Sequence, residues 1–567
     1  MVNLRILLYI AFFLVVYLLW MTWEKDHLFF TSSSYNNKST FISTDQKNEG
    51  SSFFVQEKKM FFLKNLKYSN RYSSIYLNFL KKYSLIHIKT SVLNLYVSLK
   101  DGNIMLAELI KYPIQVGSRD SVKILDYRKN NFFAANNFLY LLRNKKLEML
   151  KLNFSSDKID YNLEDNKNNM FDVVLYSKID NFLEVKKVFS FIKNSYLISV
   201  KYLIKNIGIH PLKLYVNSQL LNILPEEEHS NFFHVGSYIG ASYSNIGHHF
   251  YKKISFKNME KNNLIENFSN GWIAMQQHYF LNAWIFHNKS LSNNLTNENN
   301  NSFIYTKVIN NSNIHVIGII TKNLFVYPKR NKIIFLKLYI GPKIASVLKN
   351  VSPALNLTID YGWFWFLSSL LFNLMKLINT IIGNWGWSIV LTTILIKILF
   401  YRLSKTSYRS MSSMKKLQPK LKSLRDYYGD DKNKINKLTI DLYRQEKINP
   451  FSSCLPILIQ VPVFIALYWV LLESIEFRQA NFIFWIKDLS VTDPYHILSI
   501  IMGLTMLFQQ KLSSSSEDDF MQNIMIIFFP ILFTVLFWNF PSGLLLYWSV
   551  NNIISIIQQW IFFKKYG

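Results

Sequence analysis

Six apolar runs, each about as long as a bilayer is thick, constrain the fold of this chain more than any other feature. They cover residues 4–23, 379–401, 453–473, 494–511, 520–539 and 541–563. A transmembrane helix needs about 20 predominantly apolar residues to cross the hydrocarbon layer. The sequence therefore predicts a polytopic α-helical membrane protein with six spans. No small-residue cleavage motif follows the first run, so residues 1–23 are expected to remain as an amino-terminal membrane anchor.

The charges between the spans predict their orientation. Residues 402–447 carry thirteen Lys or Arg and five acidic residues, whereas residues 474–493 carry only Arg478 and Lys487 as basic residues. Cytoplasmic loops are enriched in Lys and Arg. We therefore expect the first of these connections, and both chain termini, on the cytoplasmic side and residues 24–378 on the opposite side.

Between the anchor and the other five runs, the chain divides into three segments of different pattern. Residues 24–85 are rich in Ser, Asn and Lys without a sustained period, which is typical of a low-complexity tether. Residues 86–349 contain short apolar or alternating runs, which predict one large β-sandwich. Residues 354–378 are aromatic and apolar. Because Tyr361–Met375 is too short to span a bilayer as a helix, this region is predicted to form an interfacial amphipathic helix on the outer surface.

The basic segment 403–450 is predicted to form a helical hairpin that turns about Gly429–Lys432. Each half carries one narrow apolar stripe at spacings of three and four residues. The stripes consist of Met411, Met414, Leu417, Leu421 and Leu424, followed by Ile435, Leu438 and Leu442. Two such stripes joined by a short turn favour an antiparallel pair of helices. An alternative is a solvated loop whose charge only sets the topology.

Motifs for covalent or metal chemistry are missing from the sequence. It contains no Walker phosphate loop, no Gly-x-Ser-x-Gly elbow and no His-Glu-x-x-His motif. The single cysteine, Cys454, excludes an intramolecular disulfide and a Cys-based metal cluster. The acidic turn Glu226–His229, with His234 and His248–His249 nearby in sequence, is more typical of surface residues than of a metal site. We therefore predict no enzyme activity, no cofactor and no metal. The net charge of +28 comes with abundant Asn, Ile, Phe and Tyr, as in an A+T-rich genome, and does not by itself indicate a nucleic-acid partner.

Three spans carry polar residues whose positions bring them together on helix faces. Thr393 and Lys397 are four residues apart and share one face. Gln460 lies in the middle of the next span, with Phe464 one turn beyond it. In the last span, the polar residues Tyr547, Asn551 and Gln558 fall within about 40° of one another on a helical wheel. Such residues usually face a protein interior or water instead of lipid.

Each of these polar residues also has a simpler explanation. Lys397 is five residues from Arg402, so its ammonium group could reach the cytoplasmic headgroups. Gln460, Asn551 and Gln558 could act as interhelical hydrogen-bonding residues, worth about 0.6 kcal/mol each. Hydrogen bonding between helices does not require an unpaired positive charge, and no span supplies an obvious acid to neutralise Lys397. Their joint occurrence therefore favours a polar groove.

Several motifs resemble the YidC-type membrane protein insertases of bacterial inner membranes (the YidC/Oxa/Alb family), in the Gram-negative form with a large periplasmic domain. In the helical part they are Asp360–Phe366, Gly383–Gly386, Leu417–Lys420, Gly429–Lys432, Asn449–Pro450, Leu458–Phe464, Ala466–Tyr468, Phe477–Ala480, Asp493–Tyr495 and Phe540–Tyr547. In the β-rich part they are Gly271–Gln277, Ala283–Trp284 and Leu338–Pro342.

The resemblance implies an insertase core, residues 379–563, in which five spans enclose a hydrophilic groove open to cytoplasm and lipid. Lys397 stands where the family carries one basic residue, usually Arg, so the charge is kept and the planar guanidinium is lost. Gln460 and Phe464 match groove positions of the third span. Tyr547 and Trp548 match a substrate-contacting aromatic pair of the last span.

The function implied is that of a membrane protein insertase and chaperone in the inner membrane. Its expected partners are nascent and newly made membrane proteins, the Sec translocon, the ribosome through residues 403–450, and anionic lipids. A secondary transporter of a small solute is one alternative, although the spans show no internal repeat. A membrane-anchored periplasmic carbohydrate-binding protein is the other, on the analogy of the sandwich with mutarotase-like folds.

Overall fold

The computed structural model describes residue 81 and residues 84–566, except 128–131, 164–168, 224–236, 287–301, 310–312, 322–323, 430, 447–454 and 514–519. The predictions for the anchor, for nearly all of the tether, for Glu226–His229 and for Cys454 fall outside these residues. The described part is β-rich in its amino-terminal half and helical in its carboxy-terminal half. This division confirms the sequence prediction at that level.

The β-rich half forms two sheets of twelve and nine strands. The first sheet contains, in spatial order, β15 (Ile265–Phe268), β18 (Ser302–Ile309), β19 (Ile314–Ile320), β12 (Leu212–Ile223), β5 (Phe133–Arg143), β4 (Ser121–Asp126), β3 (Ile104–Pro113), β2 (Leu93–Ser98), β1 (Leu85–Lys89) and β8 (Asp160–Asn162), with β20 (Leu324–Val326) beside β12 and β6 (Lys146–Met149) beside β5. The second contains β14 (His249–Ile254), β13 (Gly240–Asn245), β16 (Gly271–Gln276), β17 (Phe280–Phe286), β21 (Asn331–Pro342), β11 (Leu197–Asn206), β10 (Leu183–Ile192), β9 (Met170–Ile179) and β7 (Ser155–Ser156). Neighbouring strands pair antiparallel, except that β1 and β8 are parallel.

One hydrophobic core joins the two sheets. Strand β11 alternates between buried and partly exposed residues, as a strand with one face on a core should. Every residue of β16 and β17 is buried, and Trp272 and Trp284 are among the largest fully buried side chains. Gly271 begins β16 at a φ of +143°, and a Cβ there would lie 2.0 Å from the Ser244 carbonyl oxygen. Only glycine fits this close approach of two backbones.

Ten α-helices follow within or after the sheets among the described residues. They are α1 (Phe256–Lys261), α2 (Ala345–Val351), α3 (Trp365–Ile382), α4 (Trp385–Leu399), α5 (Tyr401–Tyr428), α6 (Lys432–Gln445), α7 (Leu455–Glu473), α8 (Ile497–Ser513), α9 (Phe520–Leu536) and α10 (Ser542–Tyr566). Short 3-10 turns occur at Leu355–Thr358 and Ile475–Phe477. The predicted hairpin region forms α5 and α6, which are separated at Gly429, where φ is +51°.

The break between α3 and α4 differs from the sequence prediction, which ended the interfacial region at residue 378. Helix α3 continues to Ile382 and stops at Gly383, which is left-handed with a φ of +72°. Asn384 then caps α4, because its side chain accepts a hydrogen bond from the Trp387 N–H. The apolar character of the sequence continues across this break, so hydropathy alone did not locate it.

Helix length also corrects one argument from the sequence. Helix α3 has 18 residues and, by length and composition, is long and apolar enough to cross a bilayer. The statement that this region is too short to span is therefore wrong, and its interfacial position stays a prediction. The pair α4 and α5, bent by 65°, meets the same criterion together. Within the described residues, Gln460–Glu473, Ile497–Leu512 and Ile526–Leu536 are shorter apolar helices.

Polar contacts attach the β-sheets to the helices at the end of α7. Arg478 Nη2 donates hydrogen bonds to the carbonyls of Pro113, at 2.8 Å, and Ile114, at 3.1 Å. His278 Nε2 donates to the Leu472 carbonyl at 2.8 Å. Lys343, at the end of β21, is 1% exposed, and burial lowers its pKa to about 8. The β-rich part therefore contacts this end of the helices through directional hydrogen bonds.

Candidate functional site

Lys397 lies on α4 and points into the helical bundle. Its Nζ donates a hydrogen bond of 2.7 Å to the Ser555 hydroxyl on α10. No carboxylate lies within 4.0 Å of it among the residues that the structure describes. If the ammonium group extended to the lipid headgroups, it would point toward the end of α4. Instead, it contacts α10 inside the bundle.

A small cavity surrounds this ammonium group. Its volume is about 30 Å³, which is room for roughly two water molecules. It is lined by Ile396, Lys397, Phe400, Leu403, Ser404, Gln460, Val463, Tyr547 and Asn551. Four of the seven residues predicted for the site, Lys397, Gln460, Tyr547 and Asn551, therefore meet in one place. They come from α4, α7 and α10, and the Gln460 side chain hydrogen-bonds the Tyr547 hydroxyl.

Thr393 does not contribute its hydroxyl to this cavity. It is buried, but its Oγ1 donates to the Ile389 carbonyl one turn earlier in α4, at 2.7 Å. A β-branched hydroxyl in a helix often makes this local bond, so sharing a face with Lys397 does not make it available. The adjacent Thr392 is the one whose buried Oγ1 has no hydrogen-bond partner in the described part of the chain.

Phe464 and Trp548 do not line the cavity. They belong to an aromatic cluster beside it. Their ring centroids are 4.6 Å apart in an edge-to-face arrangement. Phe537, just after α9, lies 6.0 Å from Phe464 and 5.1 Å from Trp548, and Phe533 of α9 lies 6.2 Å from Trp548. Edge-to-face pairs of this kind stabilise helix packing. Phe533 and Phe537 were not predicted, because nothing in their spacing separates them from ordinary lipid-facing residues.

The polar lining of α10 continues past the cavity toward α5 and α8. Ser555 also donates to the Asn551 carbonyl at 2.8 Å, and Tyr408 of α5 donates to the Ser555 carbonyl at 3.4 Å. Asn552 donates to Thr505 of α8 at 3.3 Å. Ser555 was not predicted as a site residue. The signal that could have found it is its position four residues after Asn551, on the same helix face.

The opposite end of the bundle is closed by specific contacts. Asp493 Oδ1 accepts hydrogen bonds from Trp485 Nε1, at 3.0 Å, and from the Tyr495 N–H, at 3.1 Å, while Oδ2 accepts from the Leu498 N–H at 2.8 Å. A Cβ on Gly386 would lie 2.1 Å from the Phe482 ring, so the 474–496 connection packs directly on the start of α4.

The predicted hairpin carries most of its charge on the surface. Lys420 and Glu446 form an exposed ion pair at 3.0 Å that joins α5 to the end of α6. Lys415 is an exception, because its Nζ donates to the Leu512 carbonyl at 2.7 Å and lies 4.8 Å from the centre of the Phe563 ring. The first half of α5 is therefore held against α8 and α10, while its basic side chains such as Lys416 remain exposed.

These features define a class of protein: a helical bundle with a polar, positively charged interior site, joined to a large two-sheet domain. Residues 85–374 match the family of the YidC periplasmic domain, and residues 377–567 match the family of the 60 kDa inner membrane protein. The chain belongs to the YidC family of membrane protein insertases.

Two relatives with high sequence identity agree with this assignment. The chain is 52% identical to the membrane protein insertase YidC of Legionella pneumophila strain Lens, over 85% of this chain and 84% of the relative. It is 42% identical to that of Coxiella burnetii strain RSA 331, over 85% and 83%. A crystal structure of an active YidC insertase with its first transmembrane domain resolved matches 85% of this chain and 93% of its own, at 17% identity and a TM-score of 0.38.

Proposed function

We propose that this chain is a membrane protein insertase in which Lys397 and the polar residues around it contact the polar segments of substrates as these move past the cavity. The observation that carries the proposal is the meeting of Lys397, Gln460, Tyr547 and Asn551, from three helices, around one small polar cavity. A charged residue inside a helical bundle costs about 2.5 to 3.5 kcal/mol near the bilayer centre on insertion scales, so its retention favours a functional role.

The physical task of an insertase is to reduce the cost of moving a polar segment past lipid. Backbone and side-chain polar groups each cost several kcal/mol when they lose water without gaining a partner. The Lys397 ammonium and the Gln460 and Asn551 amides offer such partners to a substrate segment. The apolar part of the substrate would meanwhile slide along the aromatic cluster of Phe464 and Trp548 into the bilayer.

No nucleotide is needed for this role. Transfer of one apolar substrate segment from water to lipid is favourable by about 25 cal/mol per Å² of apolar surface, which offsets the brief passage of a short polar segment. The six-span topology, with residues 24–378 in the periplasm and both termini in the cytoplasm, belongs to the same proposal. In it, the Asp493 contacts close the periplasmic end and the polar lining of α10 opens toward the cytoplasm.

The exposed basic residues of α5 and α6 are proposed to receive the incoming chain. Polyanionic ribosomal RNA and anionic headgroups are both attracted to such a surface by counterion release. We also propose that the protein acts alone on small substrates and beside the Sec translocon on larger ones, and that it assists their folding. The contact of Lys415 with α8 and α10 would keep this surface next to the cavity.

Reconstitution tests the proposal. The purified full-length protein in vesicles of phosphatidylcholine and phosphatidylglycerol should insert a small single-span protein without nucleotide and without the Sec translocon. Insertion is measured as protection of the translocated segment from added protease. Lys193→Met, a substitution at an exposed lysine of the β-rich part, should leave this activity unchanged.

Protection equal to that of protein-free vesicles would contradict the proposal. Saturable uptake of a small solute by the same vesicles would favour the transporter in its place. The double variant Lys397→Met/Gln460→Leu tests the polarity of the cavity without disturbing the fold, because it removes two polar groups and changes side-chain volume little. If that variant inserts at the wild-type rate, insertion does not use this cavity.

A further inference from the structure

A second and larger cavity lies where the β-rich part meets the 474–496 connection. Its volume is about 510 Å³, within the range of small-ligand sites. It shares no lining residue with the cavity around Lys397. Its walls come from the loop after β3, the turn between β16 and β17, the 474–496 connection and the first residue of α10. Nothing in the proposed insertion mechanism uses it.

The polar part of the lining carries a net positive charge. Arg478 and Lys487 are basic, Asp488 is acidic, and His278, Tyr279 and Ser490 add polar groups. The Arg478 hydrogen bonds go to the uncharged carbonyls of Pro113 and Ile114, so no carboxylate pairs with it directly. Lys487 is exposed and, within the described ranges, forms no ion pair within 4.0 Å. Neither cation is neutralised by a direct partner.

The acidic residue of the lining, Asp488, already accepts two hydrogen bonds within its own turn. Asp488 Oδ1 accepts hydrogen bonds from the Ser490 N–H, at 2.9 Å, and from the Ser490 hydroxyl, at 2.7 Å. The formal charges of Arg478, Lys487 and Asp488 leave the lining with one net positive charge. A phosphodiester carries one negative charge, and Arg and Lys are the side chains that most often bind phosphate oxygens.

The rest of the lining is apolar and opens to the surface. Ile114, Val116 and Val491 line the cavity and are 51%, 46% and 51% exposed. Trp485 also lines it, and tryptophan is enriched at the headgroup level of membranes. A ligand with a charged head and an apolar body matches this division better than free phosphate, which would leave the apolar half uncovered.

The position of the cavity in the fold suggests where that ligand comes from. It lies beyond the carboxyl end of α7, before α8 and at the start of α10. In the topology proposed above, on which this inference rests, all three ends lie at the outer surface of the membrane. Phosphodiester headgroups are concentrated at that level.

From this geometry we infer that the cavity binds the headgroup of an anionic phospholipid of the outer leaflet. Arg478 and Lys487 contact the phosphodiester, and Ile114, Val116 and Val491 cover the first part of the acyl chains. A bound lipid would fill the space between the β-rich part and the membrane helices. It would thereby add to the direct contacts, such as that of His278 with Leu472, that fix these two parts together.

A photo-crosslinking amino acid at Val116 in the full-length protein tests the inference. The protein is placed in vesicles of phosphatidylcholine alone or of phosphatidylcholine with phosphatidylglycerol, irradiated, and analysed by intact mass. A matched probe at Ile209, which is 83% exposed on the same part of the protein and outside the cavity, is the control. We expect a phosphatidylglycerol adduct from Val116 and none from Ile209.

Substitutions at the exposed Lys487 change the charge of the cavity without disturbing the hydrophobic core. One basic side chain near an anionic surface is worth about fivefold in attraction, so Lys487→Gln should lower the adduct yield by about fivefold and Lys487→Arg should keep it. Added inorganic phosphate should not compete. An adduct that is equal for both lipids, or unchanged in Lys487→Gln, would overturn the inference, and so would displacement by phosphate.

This experiment distinguishes a failure of the lipid-site inference from a failure of the insertase proposal. Lys397→Met should reduce insertion and leave the lipid adduct at Val116 unchanged. Normal insertion without any lipid adduct would reject the lipid site and keep the insertase. Crosslinks from Val116 to the translocated segment of a substrate, in place of lipid, would show that the cavity serves substrates and would also reject the lipid site.

Discussion

The substitution Lys397→Met gives the most informative perturbation of the groove. The ammonium group donates one side-chain hydrogen bond, to Ser555, and has no carboxylate within 4.0 Å among the described residues. Its charge is therefore available to an acidic residue in a passing segment. A hydrogen bond to a charged group contributes about 1.5 to 3 kcal/mol, which corresponds to roughly a 10- to 150-fold change in rate. Water in the proposed groove would weaken the attraction, so we expect the lower end, about tenfold.

The assay compares two versions of one single-span substrate, with an acidic or a neutral translocated segment. Insertion is followed by protease protection in vesicles that contain wild-type protein, Lys397→Met or Lys397→Arg. The acidic version should insert about tenfold more slowly with Lys397→Met, whereas the neutral version should change less than about threefold, because only the first loses a charge-assisted contact. Lys397→Arg should retain the wild-type rate with both.

Thermal unfolding of the same variants excludes a folding defect. Removal of a charge from a helical bundle lowers its desolvation cost, so the Lys397→Met protein should unfold at the same or a higher temperature than wild type. Lys193→Met is the matched control at an exposed lysine. The reasoning is refuted if folded Lys397→Met protein inserts both substrate versions at the wild-type rate.

Three further predictions concern stability. Lys187 is 1% exposed and donates to the Gly102 carbonyl at 2.7 Å, and burial lowers its pKa to about 7. Between about pH 7 and 10.5 the unfolded chain binds more protons than the folded protein, so the free energy of unfolding should rise with pH over that window. Lys187→Met should flatten this rise in denaturant titrations. Gly386→Ala should cost about 1 to 3 kcal/mol through its clash with Phe482, and Phe482→Ala should restore the melting temperature in the double variant. Phe464→Ala should destabilise the bundle by about 3 to 5 kcal/mol and lower insertion of all substrates alike, acidic or neutral, in the protease-protection assay.

Helical spacing predicted which residues of one span share a face, and the family resemblance predicted which spans enclose a groove. Lys397, Gln460, Tyr547 and Asn551 were expected on facing helix surfaces, and they line one cavity. Periodicity gives the face of a residue but not the partner of its hydrogen bonds. Thr393 shows the difference, since its hydroxyl bonds within α4 and leaves the cavity to other groups.

Features that depend on contact between distant segments were beyond sequence reasoning. The Ser555 hydroxyl becomes a site residue only because α10 packs beside α4, and the role of Phe537 depends on the turn after α9 meeting α7 and α10. The break at Gly383 was missed because the apolar run continues through it, although the Gly-Asn pair is a recognisable stop and cap. The cavity at Arg478 forms only where the folded β-rich part meets the 474–496 connection, so sequence patterns do not indicate it.

Site-specific crosslinking from α7 tests most directly whether polar segments of substrates enter the Lys397 cavity. A photo-crosslinking residue at Gln460 faces the cavity, and one at the adjacent Val461, which is 47% exposed, faces away from it. During insertion of a single-span substrate, we predict crosslinks from Gln460 to the polar translocated segment and crosslinks from Val461 to lipid or to the apolar segment. Crosslinks of the polar segment to Val461, or to neither position while insertion proceeds, would contradict a path through this cavity.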